Sequence, residues 1–358
     1  MKKRVLVAMS GGVDSAVTAY LLKEEGNEVI GVTMLLLPKN LDETRSNACC
    51  GIEGIEDARH VASLLDIRHY VLNMRESFQD YVINDFLDEY KAGRTPNPCI
   101  RCNRFLKFGV LLRKAVDVAA DYVATGHYAR IEPDSKGPSY TLKRGVDRKK
   151  DQSYFLYVMN QEQLKRTIMP LGNYTKPHVR EIAKKAGLPV SSKPGSQEIC
   201  FIKGKDYRSF FTGLDIKTRS PGPIVDKKGN LLGTHTGIMN YTIGQRKGLG
   251  ISSTTPLYVI KINRAQNTIV AGQKNEGYRG ELTADNVSWV AQPLRKPEKI
   301  LAQIRSLHCA ASATLTPADT GEVDLVFDQP QWAITPGQAV VFYRGHSVTG
   351  GGTITHGT

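Results

Sequence analysis

No stretch of the 358-residue chain stays strongly apolar for more than nine residues; the longest, Val29 to Leu37, already contains Gly31 and Thr33. A bilayer span needs about 20 such residues, so no membrane partner is expected. The opening MKKRVLVAMSGG is basic, but its apolar run is too brief for a secretory signal and leads straight into a patterned domain. That reading predicts a cytoplasmic protein. Cysteine is scarce: six in a cytosolic chain of this length do not build a disulfide scaffold, so any clustering among them points to metal binding or catalysis. Acidic residues fall short of basic ones, 35 against 48, for a formal net charge of +13. A field of that sign attracts polyanions, which makes nucleic acid the leading partner class, beside the plainer reading of a solvated basic surface. Internal repeats and low-complexity tracts are absent too, and the length exceeds one ordinary core, so two or three domains are expected.

What is present begins as alternating strand and helix signals over the first 130 residues. RVLVAM and EVIGVTMLLL read as buried strands, followed by HYVLNM and YVATGH. Helical stripes lie between them, through Val13, Val17, Tyr20 and Leu21, through Ile55, Ala58, Ala62 and Leu65, through Phe78, Val82 and Phe86, and through Phe105, Phe108, Leu112 and Ala115. Gly26 is placed to stop the first helix. This alternation predicts an α/β unit with a doubly wound parallel sheet and ligands at the carboxyl ends of its strands. KPHVREIAKKAG is the last clear helix, with Pro177 near its start and Gly187 at its end. Beyond about residue 207 come short alternating strands, LYVIKI, TIVAG, VDLVF and AVVFYRG, suited to small β domains or barrels, with a composition shift at QPLRKPEK.

Between the first strand and the first helix lies SGGVDS, Ser10 to Ser15. A Walker-type loop would continue into Gly-Lys-Ser/Thr, and here no lysine follows, so the γ-phosphate clamp of an ordinary ATPase is missing. What remains is a glycine turn that lets backbone amides approach closely, and a helix N-terminus with partial positive charge. Such a nest suits pyrophosphate, with Ser10 and Ser15 donating hydroxyls and Asp14 holding Mg²⁺ or the serines. Further on, TPNPCIRCNRFLKF sets Cys99 and Cys102 one turn apart at the mouth of a helix expected to start near Asn103. The helix dipole with Arg101, Arg104 and Lys107 is expected to lower a thiol pKa there. Cys200 sits in GSQEICFI, a segment whose glycine and serine suggest local mobility; alone it reads equally as a small buried hydrophobe.

SGGVDS resembles the loop of the PP-loop ATP pyrophosphatases. Taken in order, SGGVDS, N-P-x-x-x-C-N and S-Q-E-I-C-F resemble the tRNA-specific 2-thiouridylase family, and ATGHYARI, KKDQSYFLY, YTIGQRKGLG and PGQAVVFY extend the match over nearly the whole chain. The resemblance implies an N-terminal PP-loop domain of doubly wound parallel-sheet type (1–205), a small central β-rich domain (206–280) and a C-terminal β-barrel (281–358). It implies ATP binding by Ala8, Met9, Ser10, Gly11, Gly12, Val13, Asp14, Ser15, Met34 and Gly126. Asn97, Pro98 and Cys99 would touch the flipped target base, and His127, Lys150, Asp151, Gln152, Arg305, Ser306 and Gln338 would contact tRNA. Arg305 and Ser306 depart from the family, which usually has an aromatic after the arginine.

Cys102 would be the nucleophile and Cys200 the carrier of a persulfide. The implied reaction adenylates the C2 oxygen of the wobble uridine, releases pyrophosphate, and replaces AMP by sulfur to give 2-thiouridine. Its partners would be the anticodon arm of tRNA and a sulfur donor such as a cysteine desulfurase or sulfur-relay protein. Its cofactors would be ATP and Mg²⁺. A disulfide between Cys102 and Cys200, 98 positions apart, would close one cycle. Many family members carry Asp at position 99, whereas this chain makes a CxxC. That leaves a second arrangement open, with Cys99, Cys102 and Cys200 at three corners of a [4Fe–4S] cluster. Half of a zinc site is disfavoured because no second CxxC exists. Two rivals remain: a PP-loop synthetase with a nitrogen nucleophile, and an RNA-binding protein with a relic nucleotide site.

Overall fold

The computed structural model describes residues 2–38, 52–135, 137–193, 199–202, 206–213 and 220–357. Seven strands fall in the first half: β1 (Arg4–Ala8), β2 (Glu28–Leu35), β3 (Arg68–Asn73), β4 (Tyr122–Ala124), β5 (Ala129–Pro133), β6 (Tyr140–Arg144) and β7 (Thr167–Ile168). The helices used below are α1 (Val13–Glu24), α2 (Ile52–Leu64), α3 (residues 75–91), α4 (residues 98–117) and α5 (Lys176–Lys185). Strands β1 to β4 and β7 form an all-parallel sheet in the order β3-β2-β1-β4-β7.

Side chains alternate across a strand, so β1 feeds two cores at once. Val5 and Val7 enter one with Val17, Ala58, Val61, Val179 and Ala183 from α1, α2 and α5. Leu6 enters the other with Phe78, Phe86, Leu106 and Leu111 from α3 and α4. Burial on both faces is why β1 and β2 read as unbroken apolar runs. Connections leave β1 toward β2 on one side and return to β4 on the other, which opens a crevice at the carboxyl ends of β1 and β4.

Two parts of the chain fold otherwise than expected. Helix α4 starts at Pro98, not near Asn103, with Asn97 as N-cap accepting from the Ile100 N–H at 3.4 Å. Cys99 and Cys102 therefore lie inside the helix. From Cys102 to Val110 it winds as a π-helix, and the buried stripe becomes Cys102, Asn103, Leu106 and Phe108 before Leu111 and Ala115. Second, β5 and β6 pair antiparallel and leave the parallel sheet altogether.

The rest is β-rich, as expected. β8 (Gly222–Val225), β9 (Leu231–His235), β10 (Tyr258–Asn263) and β11 (Thr268–Gly272) form a small sheet around Ile224, Val259 and Ile269. β12 (Tyr278–Trp289), β13 (Glu298–Gln303), β14 (Ala311–Pro317), β15 (Val323–Trp332), β16 (Ala339–Arg344) and β17 (Ser347–Gly357) close into a barrel through a β12–β17 pairing, filled by Leu282, Ala302, Leu325 and Phe342. The β5–β6 hairpin adds to that barrel's sheet by pairing Leu142 with Val348 and Lys143 with Ser347.

Candidate active site

Residues 8 to 15 turn from β1 into α1 at the crevice. Gly11 has φ +75, which glycine adopts freely, and a side chain there would run into the Gly54 carbonyl of α2. Gly12 caps α1 without a side-chain bond, so the first amides of the helix are open to an anion. Ser15 Oγ accepts from the Ser10 N–H at 3.1 Å and donates to the Gly12 carbonyl at 3.0 Å, which holds the turn shut. Gly126, just beyond β4, lies so close that a Cβ would sit 2.9 Å from the Asp14 carbonyl carbon. Met34 is the penultimate residue of β2, the neighbour of β1 in the sheet. The structure thus brings Gly126 against the loop at Asp14 and Ser15.

Asp14 is engaged differently than expected. Its two oxygens accept from Lys176 Nζ at 2.6 and 2.7 Å, and Tyr128 Oη donates to Oδ1 at 2.7 Å. Lys176 begins α5, which packs on α1, and its backbone N–H donates to Asp147. The cation missing from the loop's own sequence is delivered from 162 positions away. Nothing in KPHVREIAKKAG marks this except a lysine at a helix start.

Cys99 and Cys102 lie in the first turns of α4. Cys102 is buried in the core with Phe78 and Phe86, and Cys200 packs against the same cluster. Phe201 is the anchor: it is 1% exposed, with its ring edge-on to Phe78 and Phe86 at 5.6 and 5.2 Å. Cys99, exposed at the rim, and Cys102 both lie near enough to Cys200 for their thiolates to repel it. Cys99, Cys102, Cys200 and Cys309 are all free thiols here, and Cys49 and Cys50 lie outside the described residues, as do residues 196–198 of the SQEICF motif.

The expected lowering of thiol pKa is overturned. Burial pushes Cys102 up to about 12, only partly opposed by Lys107, and Cys99 is also raised. Arg101 does not help; it is turned away to Asp85 at 3.2 Å and over the Phe105 ring. Lys107 donates to His127 Nε2 at 3.3 Å, and His127 Nδ1 meets Thr125 Oγ1 at 2.8 Å. Burial, then the Lys107 charge, keep His127 well below its usual range, so the imidazole is neutral. Among the described residues no group of three or more His, Cys, Asp or Glu is arranged to hold a metal ion.

Three family models match in succession: the tRNA methyl transferase HUP domain over residues 3–204, the tRNA methyl transferase PRC-barrel domain over 214–273, and the aminomethyltransferase beta-barrel domain over 279–354. The chain is 51% identical over 356 residues to the tRNA-specific 2-thiouridylase MnmA of Acetivibrio thermocellus, covering 99% of both chains. It is 52% identical over 358 residues to that of Heliobacterium modesticaldum, covering 99% of this chain and 93% of the other. The chain belongs to the tRNA-specific 2-thiouridylase family.

For this 2-thiouridylase family member, several residues expected on tRNA serve as internal braces. Asp151 pairs with Arg144 and accepts from the Gly145 and Ser153 N–H groups. Gln152 Oε1 accepts from the Tyr128 N–H and its own N–H donates to the Tyr128 carbonyl, fixing the residue that touches Asp14. Gln338, from the barrel, donates to the Thr95 and Pro96 carbonyls at 3.0 Å and so props the turn leading into Asn97, Pro98 and Cys99. Arg305 bonds the Trp332 carbonyl at 2.8 Å, while Ser306 is exposed. Lys150 is half-buried, beside the exposed Arg148 and Lys149. No helix of the described residues is long and apolar enough to cross a membrane.

Proposed function

We propose that the protein is an ATP-dependent tRNA sulfurtransferase that makes 2-thiouridine at the wobble position, acting in the cytoplasm. The observation that carries this reading is the gathering of Cys99, Cys102 and Cys200, in a chain that also has a nucleotide-type loop and whose relatives are named 2-thiouridylases. A synthetase using a nitrogen nucleophile has no need of them.

In this reading the uridine leaves its stack, at a cost of a few kcal/mol that an anticodon loop keeps low. Its C2 oxygen attacks the α-phosphorus of ATP and pyrophosphate departs, with the α1 N-terminus and Lys176 balancing the phosphate charge. Mg²⁺ would travel on the phosphates, since Asp14 is taken up by Lys176 and Tyr128. The terminal sulfur of a Cys200 persulfide, loaded by a protein persulfide donor, then bonds to C2, and the C2–O bond breaks with its electron pair leaving on AMP. The Cys102 thiolate attacks Cys200 Sγ: a Cys102–Cys200 disulfide forms, and the electron pair of the broken S–S bond stays on the 2-thiouridine sulfur. A dithiol reductant restores the two thiols. The alternative, release of hydrosulfide by Cys102, uses the same pair. Residues 1–205 carry this chemistry, and the central and C-terminal units, 206–280 and 281–358, together with Lys150, grip the tRNA.

The test is tRNA-dependent pyrophosphate release measured beside thiolated product. Cys200→Ser is expected to abolish product while pyrophosphate release persists in part. An equal loss of both would contradict the role of Cys200, and no tRNA-dependent release from the unaltered protein would favour a binding module.

A further inference from the structure

Lys107 follows Cys102 by five residues. In an α-helix of 3.6 residues per turn that spacing turns the two side chains roughly 140° apart. Here the segment Cys102–Val110 is π-wound, with hydrogen bonds from i to i+5, so residue 107 stands about one turn above residue 102 on the same side. The lysine's ammonium is then fixed from beyond the helix by His127 Nε2 at 3.3 Å, which is itself held by Thr125. Arg101 is committed to Asp85 and the Phe105 ring, and Arg104 is exposed and also lies over that ring, 5.6 Å from its centre. Of the three basic residues around the CxxC, Lys107 is the one whose charge acts on both Cys99 and Cys102.

We propose that Lys107 is the electrostatic partner of the sulfur-transfer step, brought over the cysteines by π winding and held there by His127. Resting on the sulfurtransferase reading, this assigns a group to a charge that the chemistry needs twice: on the terminal sulfur of the Cys200 persulfide before it attacks C2, and on the Cys102 thiolate before it attacks Cys200. A preorganised cation in a site poor in water acts on such charge far more strongly than one in solution. The neutral imidazole suits the task, because it accepts a hydrogen bond from the lysine ammonium without adding a second charge that would repel it. Lysine at this position also leaves the adenylation side to Lys176, so each half-reaction has its own cation.

The experiment compares Lys107→Gln and Lys107→Arg with the unaltered protein, first loaded with sulfur by a cysteine desulfurase. Both tRNA-dependent pyrophosphate release and 2-thiouridine formation are measured in a single turnover, with thermal melting alongside. The expected result is a fall of roughly 100-fold in the ratio of thiolation to pyrophosphate release for Lys107→Gln, the size seen when one charge-stabilising donor is removed, with much of it recovered in Lys107→Arg. An unchanged ratio in Lys107→Gln, or an equal fall in both variants, overturns the proposal. A merely structural role lowers both steps together with the melting temperature and leaves the ratio alone. Absence of both products from the unaltered protein would instead overturn the sulfurtransferase reading.

Discussion

Lys176 and Asp14 meet with the lysine side chain only 12% exposed. Removing one partner of such a pair strands the other's charge, so the two variants differ in sign for an anionic ligand. Lys176→Gln leaves a carboxylate facing the phosphates and is expected to weaken ATP binding roughly 10- to 100-fold, read by calorimetry, in line with the few kcal/mol a buried charged hydrogen bond carries. An unaltered affinity would show that the lysine only seats α5. Cys102 carries a second residue-scale expectation. With its thiol pushed up to about 12, the thiolate fraction at neutral pH is small and grows tenfold with each pH unit. Alkylation of Cys102, followed by mass spectrometry, is expected to keep rising from pH 7 to 9; a plateau near pH 8 would mean an acidified thiol. The glycine-serine loop and the clustered cysteines stood out as residues because glycine, serine and cysteine are the groups such chemistry would use. Lys176 and Lys107 were not, since one arrives through tertiary packing and the other through a winding that helical periodicity misplaces.

Helix α4 explains that misplacement at the level of the element. An apolar stripe through Phe105, Phe108, Leu112 and Ala115 assumes uniform α winding, whereas Leu106 and Leu111 are fully buried beside Phe108 and Ala115, and Phe105 and Leu112 are only half-buried. Its start was readable: Asn97 followed by Pro98 is a cap and first-turn proline, the ordinary opening of a helix. The strands were legible because β1 and β2 are buried on both faces, while β4 is only three residues long and its continuation is the loop bearing Gly126 and His127. The turn before α4 is held by the barrel, through Gln338 and through the Thr95 N–H bonded to the Pro336 carbonyl at 2.9 Å. If Gln338 is a brace, Gln338→Ala lowers the thiolation rate at saturating tRNA and leaves the tRNA dissociation constant within about twofold; a variant that only binds tRNA more weakly returns the residue to the interface. Loss of a hydrogen-bonded prop of this kind is worth about 1 kcal/mol, or several-fold in rate.

Across the whole molecule the excess of 13 positive charges sets the terms of association with RNA. Each phosphate neutralised releases counterions, so the logarithm of tRNA affinity is expected to fall linearly with the logarithm of salt concentration, measured by filter binding or fluorescence anisotropy between about 50 and 200 mM salt. A flat dependence would remove nucleic acid as the partner of that charge. The partition into an α/β unit and two β-rich units was visible in the change of hydrophobic period along the chain; the exchange of a hairpin between the first and the last was not, because β5 and β6 read locally like any short strands. That exchange makes the molecule hard to divide. A fragment ending at residue 205 would keep β6 but lose β17, leaving Leu142 and a row of unpaired peptide groups facing water on an open sheet edge. Such a fragment is expected to self-associate, so the far end of the polypeptide acts as a shield for an edge formed near its beginning.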